Sequence, residues 1–313
     1  MSFGRRSRSI SRAGFTLVEL LVVISIIGML MALLFPAINS ARETGRQNTC
    51  RNNIRSIGQG LAQHENAKNV FPQIHTVRNG VSLPLLHELF PYMDRMDLYR
   101  NREGVGYPTN DSDYPEPYIE YMQCPSNPKG DLGMTNNFVF NVGTRQANSA
   151  NPTHTGDGSA ASPRGITSQF LETNVPEKYA ALFFEFGSIS TAELTAGDGT
   201  TNTLMISENL DAADWNTTVE NRIGFTWSLD NSGNPVPADA LINQRKGLAS
   251  FASDPESDNG LWAPTSNHPA VVNVGFADGH VRTLSDATSY RVYVQLCTPR
   301  GEAFGLGPLT SSY

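Results

Sequence analysis

The sequence predicts an α+β protein: one long N-terminal helix, apolar at first and amphipathic afterwards, packed on a head of mainly antiparallel sheet with long loops. Three observations carry that expectation. Phe15 to Phe35 is a run of 21 residues in which Glu19 is the only ionisable side chain. Cys50, Ile54, Ile57 and Leu61 then recur at i, i+4, i+7 and i+11, one stripe of a helix. Beyond residue 66 the apolar runs become short and are bounded by turn residues, which is the pattern of strands.

Composition narrows the function classes. Of 313 residues 17% are charged, fewer than in a charge-rich disordered chain or a long coiled coil. Asp and Glu outnumber Lys and Arg by 30 to 23, which argues against a nucleic-acid partner. Four of the cations, Arg5, Arg6, Arg8 and Arg12, precede the apolar run, and removing them takes the net charge from −7 to −11. The basic leader and the acidic remainder are separate objects. A leader of this kind is read as a topology signal: N-terminus in the cytoplasm, C-terminal bulk across the membrane.

The apolar run is long enough for that role. At about 1.5 Å per residue it spans roughly 31 Å, close to the roughly 30 Å hydrocarbon core of a bilayer. A secretory signal has a shorter apolar region, about 7–15 residues, followed by a small-x-small cleavage site, and Pro36 to Ala41 makes a poor one. Glu19 needs a partner, because a carboxylate within a spanning helix costs on the order of 3 kcal/mol. Cleavage after Gly14 would expose an α-amino group on Phe15, four residues away, and one subunit's amine could meet the next subunit's carboxylate. The alternative is an acidic residue tolerated near the membrane surface.

The residues Arg12-Ala13-Gly14-Phe15-Thr16-Leu17-Val18-Glu19-Leu20 resemble the processing site of type IV prepilins and type II secretion pseudopilins. The resemblance implies a peptidase that cuts after Gly14 and methylates Phe15, with Glu19 as the assembly glutamate and Pro36 where such helices commonly kink. It implies four parts: a basic leader over 1–14, a transmembrane and assembly helix over 15–36, an amphipathic continuation over 37–66, and an extracytoplasmic α+β head over 67–313. The expected fold is therefore pilin-like.

The head carries its own resemblance. Cys124-Pro125-Ser126-Asn127-Pro128, the segment from Asp198-Gly199 to Leu204, and His268 followed by Asp278-Gly279 recur together in a large bacterial family of prepilin-like proteins. That family has a C-terminal domain of unknown function with a His-x9-Asp-Gly pattern. Thr298-Pro299-Arg300-Gly301-Glu302 resembles its C-terminal signature, with Pro299 and the single Gly as departures. The resemblance supplies a fold and a location but no activity.

Element by element, the long helix is expected from about Phe15 to Glu65, ended by Val70-Phe71-Pro72. Residues 81–100 suggest a second helix interrupted at Pro91. Strands are expected near Phe138–Val142, Ala181–Phe186, Thr203–Ser207, Ile223–Ser228, Ala270–Phe276 and His280–Leu284, the last two joined through Ala277-Asp278-Gly279 as a hairpin. Ser285 to Leu296 reads equally as a helix capped by Ser285 or as an alternating strand.

If Cys50, Cys124 and Cys297 lie beyond the membrane, they meet an oxidising space. A Cys50–Cys124 disulfide would staple the long helix to a loop; buried free thiols are the alternative. His268 and Asp278 sit at opposite ends of one strand and need not meet. Asp278 is expected to shape the turn and His268 to bond neighbouring loop backbone, with ligand binding as the second reading. Asp254, Glu256, Asp258 and Asn259 place oxygens at alternate positions, a candidate Ca2+ loop without the EF-hand's last Glu, against a solvated acidic loop. No other cofactor is expected. No H-E-x-x-H, G-x-S-x-G, Walker loop or paired C-x-x-C occurs, so an enzyme is not expected.

Two function classes follow. The first is a structural subunit of a pilus or pseudopilus. Its partners are the prepilin peptidase/methyltransferase, like subunits, an assembly platform and the inner membrane that it crosses once. The second is a membrane-anchored extracytoplasmic module that binds carbohydrate, protein or ion, with Trp215, Trp227 and Trp262 as candidate stacking residues.

Overall fold

The computed structural model of the protein describes residues 15–102, 119–127, 136–146, 181–183, 187–210, 212, 215, 224–229, 242–243 and 263–307. The chain divides into two compact units, Met1–Gly45 and Arg46–Tyr313. Helix α1, Leu17–Lys68, contributes residues to both.

From Leu20 to Ile38 α1 is apolar on every side. Its large side chains from Phe15 to Ile38 are exposed, Phe15 at 72%. A helix apolar all round needs a non-aqueous surrounding or other helices against it. Ser25, the polar exception in its middle, gives its hydroxyl to the Leu21 carbonyl one turn back at 2.8 Å, so its polarity is spent within the helix. The helix continues through Pro36, which has no N–H to give the carbonyl of Ala32.

In the second unit the same helix buries one stripe: Cys50, Ile54, Ile57 and Leu61, with Gly58, Gly60 and His64. It stops where Asn69 takes the left-handed conformation (φ 62°) and donates to the Glu65 carbonyl at 2.6 Å.

The head is a five-stranded sheet in the order β5-β3-β4-β6-β7. Its strands are β3 (Phe138–Gln146), β4 (Leu204–Glu208), β5 (Gly224–Leu229), β6 (Val271–Phe276) and β7 (Val281–Ser285). Three of its four pairings are antiparallel, and β3 with β5 is parallel. The fold is thus the α+β, pilin-like arrangement: a long N-terminal helix on a mainly antiparallel sheet. Alternation sorts β3 between the faces, with Phe138 and Phe140 on the α1 side and Val139 on the other. A register shift in β4 between Leu204 and Ile206 sets Met205 and Ile206 together on the α1 side. The opposite face packs on the helix Tyr290–Cys297 through Tyr293, Val294 and Leu296. Both faces of the sheet are covered.

Several elements differ from the sequence expectation. Residues 81–100 do not open as a helix. Asn79 and Gly80 both have positive φ (53° and 78°), a turn that folds β1 (His75–Arg78) back on β2 (Val81–Pro84). Helix follows only at α2 (Leu85–Leu89), then a 3-10 turn at Phe90–Tyr92 and α3 (Met96–Arg102). Ala181, Leu182 and Phe183 are buried but belong to no strand; Phe183 reaches the sheet by donating its N–H to the Asn141 carbonyl at 2.9 Å. The ambiguous segment is helical, and its cap is Ser289, whose hydroxyl accepts from the Val292 N–H.

α1 packs tightly on the sheet at Gly275, where an added Cβ would lie 2.8 Å from Ile54 Cγ2. Gly275→Ala is expected to cost about 1–3 kcal/mol by overpacking against that stiff, branched side chain. The penalty should shrink in an Ile54→Ala background, read as urea-unfolding midpoints of the full chain in detergent. An equal penalty in both backgrounds would contradict this packing.

Candidate functional site

The processing end and the head are separate sites. At the first, Thr16 caps α1: the Thr16 N–H and hydroxyl each donate to Glu19 Oε2 at 2.8 Å, and the Glu19 N–H returns a bond to Thr16 Oγ1 at 3.2 Å. This is a reciprocal capping box, a Thr-x-x-Glu spacing that the sequence displays. Within one chain, then, the Glu19 carboxylate serves the first turn of its own helix. Gly14 and the leader lie outside the described residues.

In the head, Cys50 on α1 and Cys124 form a disulfide with Cα atoms 5.1 Å apart. It closes 74 residues of sequence separation, and loop entropy alone assigns such a bridge about 4 kcal/mol. Cys297 is a free thiol buried on the opposite side of the sheet, and burial drives its pKa far up, so it stays protonated.

His268 lies against that disulfide. It does not begin a strand, because β6 starts at Val271; it sits in the turn before, where Ala270 holds a left-handed φ of 57°. Such a conformation costs a non-glycine residue on the order of 1 kcal/mol and turns the chain sharply into β6. His268 is fully buried, with its ring against Glu208 and Cys124. Nε2 lies 3.3 Å from Glu208 Oε1 and 3.5 Å from Cys124 Sγ; the His268 N–H donates to Ser266 Oγ at 3.0 Å.

Glu208, the last residue of β4, is the member that sequence reasoning missed. Its carboxylate accepts from the Asn273 N–H at Oε2 and from Asn273 Nδ2 at Oε1, both at 2.9 Å, and its carbonyl accepts from the Thr265 N–H. Cys124 is oriented in turn by Asn137, whose Oδ1 accepts the Cys124 N–H at 2.8 Å. Asn267 Nδ2 donates to the Ser126 carbonyl at 3.0 Å, tying the Cys-Pro-Ser segment to the turn that carries His268. The available signal was an acidic residue closing an otherwise apolar strand, in Ser207-Glu208-Asn209.

Asp278 and Gly279 sit at the other end of β6, as the sequence spacing requires. Gly279 makes the hairpin with φ 86° and donates its N–H to the Phe276 carbonyl at 2.9 Å. The Asp278 carboxylate accepts the His280 N–H and pairs with the His280 ring. The Asp278 N–H donates to the Thr200 carbonyl and the Ala277 N–H to the Thr203 carbonyl, so this turn docks on the Asp198-Gly199 segment. Asp198 Oδ2 accepts the Gly301 N–H at 2.6 Å, and the Asp198 N–H donates to the Pro299 carbonyl. Burial raises the Asp198 pKa, opposed by that Gly301 bond. The four motif segments therefore meet as two clusters. Cys124 with His268 forms one, and the Asp198, Asp278 and Gly301 segments form the other.

Trp215 and Trp227 are fully buried and pack edge-on against Phe90 and Phe304, which makes them core. Trp262 lies outside the described residues, as do Asp254, Glu256, Asp258 and Asn259 of the candidate Ca2+ loop.

Comparison with protein families agrees with this division. A family described as a protein of unknown function (DUF1559) matches residues 39–290. The chain belongs to the DUF1559 family. The prokaryotic N-terminal methylation motif matches residues 10–35, directly before the DUF1559 region. No curated protein and no solved structure matches the chain. This DUF1559 protein is a type IV prepilin-like protein with a C-terminal domain of unknown function. Its α1 is, among the described residues, the one helix long and apolar enough to cross a membrane, and together with the methylation motif it supports a single-pass membrane anchor.

The Glu208–His268 contact is expected to be cooperative. Removing either partner takes a buried polar contact from the other, at a cost on the order of 1–3 kcal/mol. His268→Ala, Glu208→Ala and the double variant, compared by chemical denaturation, should show a coupling above about 1 kcal/mol. Simple additivity would contradict the pairing.

Proposed function

We propose that the chain is a structural subunit, cut after Gly14, N-methylated at Phe15 and assembled through the apolar part of α1 into a pilus or secretion pseudopilus. The observation that carries this reading is the methylation motif over residues 10–35 on a helix whose large apolar side chains, from Phe15 to Ile38, all face outward in the single chain. In the membrane those side chains meet lipid; in a filament they meet the same segment of neighbouring subunits, so one surface serves both states. The four arginines of the leader support an N-terminus in the cytoplasm and a head outside it.

Assembly asks Glu19 to change partners. In the single chain its carboxylate is held by Thr16. In the filament the new α-amine of a neighbouring Phe15 competes for it, and a charge-assisted pair in low dielectric is the stronger contact. The exchange fixes axial register, because an offset neighbour leaves both charges unmatched. The partners in this reading are the prepilin peptidase/methyltransferase, like subunits and an assembly platform. No catalytic step is assigned to the head. The alternative, an anchored binding module, loses two of its three candidate stacking tryptophans to the core.

Glu19→Ala should leave cleavage intact and weaken subunit addition by about 1.4 kcal/mol or more, tenfold in its equilibrium constant, which is read as a reduced sheared, sedimentable filament fraction. Filaments at the unsubstituted level from that variant would overturn the assembly role of Glu19. An unsubstituted chain found only as membrane-bound single copies would favour the binding module.

A further inference from the structure

Four potential metal-ligating side chains converge in the head: Cys50, Cys124, Glu208 and His268 are all buried, and one ligand atom of each lies within 4.8 Å of every other. Cys50 and Cys124 are joined as a disulfide, in which neither sulfur carries the charge that a metal ion needs. We propose that the reduced head binds one zinc-class divalent ion through Cys50, Cys124, His268 and Glu208, so that the same four residues hold α1 to the sheet in either redox state.

The distances support a tetrahedral site. The edge of a tetrahedron is about 1.6 times the centre-to-corner distance, so zinc bonds of about 2.0–2.1 Å to N and O and about 2.3 Å to S require edges of about 3.3 Å between N and O and about 3.5–3.6 Å between either of them and S. His268 Nε2 to Glu208 Oε1 is 3.3 Å, Cys124 Sγ to His268 Nε2 is 3.5 Å and Cys124 Sγ to Glu208 Oε1 is 3.6 Å. Three edges already have the required length. The edge between the two sulfurs is shortened by their covalent bond and opens when that bond breaks.

The supporting contacts are also those of a metal site. Asn273 donates to both Glu208 oxygens, and the His268 backbone is held by Ser266, itself held by an N–H bond to Asn243 Oδ1. Outer contacts of this kind orient ligands and raise metal affinity. Two thiolates, an imidazole and a carboxylate select zinc over calcium or magnesium, which take all-oxygen shells.

The chemistry balances with a dithiol as reductant. The dithiol gives two electrons and two protons to the Cys50–Cys124 bond and becomes a disulfide, leaving two thiols. Each thiol then loses its proton as its sulfur–metal bond forms, so each ion taken up releases two protons. Reoxidation reverses the sequence and expels the ion.

The test uses the full-length chain in detergent, reduced with a dithiol, freed of it without oxygen and titrated with Co2+. A sulfur-to-cobalt charge-transfer band should grow to one equivalent together with the visible bands of four-coordinate cobalt, and Zn2+ should bleach both. The oxidised chain should stay silent, and Cys297→Ser should match the parent. Glu208→Gln and His268→Gln should each weaken binding about 10–100-fold. In the unsubstituted reduced chain, bound Zn2+ should shield Cys50 and Cys124 together from a maleimide, mapped by peptide mass, which needs no variant to fold. The proposal is overturned if the reduced chain gives no band, if the band survives both substitutions unchanged, or if Zn2+ leaves Cys50 and Cys124 as reactive as before.

Discussion

The contact between the Cys50–Ile54–Ile57–Leu61 stripe of α1 and the β4–β6 face of the sheet is what the head is arranged around. It buries an apolar helix face that water would otherwise meet, and it closes one side of a sheet whose other side is closed by the helix Tyr290–Cys297. It also sets local demands. Gly275 leaves room for Ile54, the register shift at Met205 turns two successive side chains of β4 toward the helix, and the disulfide at Cys50 joins the first turns of the stripe to the loop beyond α3.

Glu208 plays the corresponding part for the polar interior. A carboxylate at the end of a fully buried strand is tolerable only when its oxygens are matched. Asn273 and His268 match them from β6 and from the turn before it. This gives a physical reason for a histidine ten residues before an Asp-Gly turn. One end of β6 must present a ring to Glu208, and the other must reverse the chain and dock on the segment after Asp198. The six-residue strand sets the distance between those tasks.

Apolar patterning made the long helix, all five strands of the sheet and the β6–β7 hairpin legible in the sequence, because burial on one face or both leaves a direct mark on residue order. The hairpin at Asn79-Gly80 was also written there, as two residues suited to positive φ, but the apolar run after it resembles a helix until that turn is given priority. The segment at Ser285–Leu296 gave no decision, since Tyr290, Val292, Val294 and Leu296 alternate while Ser285 could also cap a helix. Glu208 was invisible for a different reason. Its importance depends on contacts with residues about 60 to 85 positions away, and no local pattern encodes them. The methylation motif was readable because it is one contiguous run, complete within residues 10–35.

The N-terminal segment belongs to a different physical regime, in which apolar side chains face outward and Thr16, Glu19 and Ser25 spend their polarity within the helix. In the proposed function that segment and the head make up one processed, methylated subunit. Mass spectrometry of the intact chain and of its N-terminal peptide, from the native membrane fraction, tests this most directly. The proposed processing predicts a chain beginning at Phe15, one methyl group heavier than the bare sequence. A chain beginning at Met1, or beyond Ala41, would contradict it.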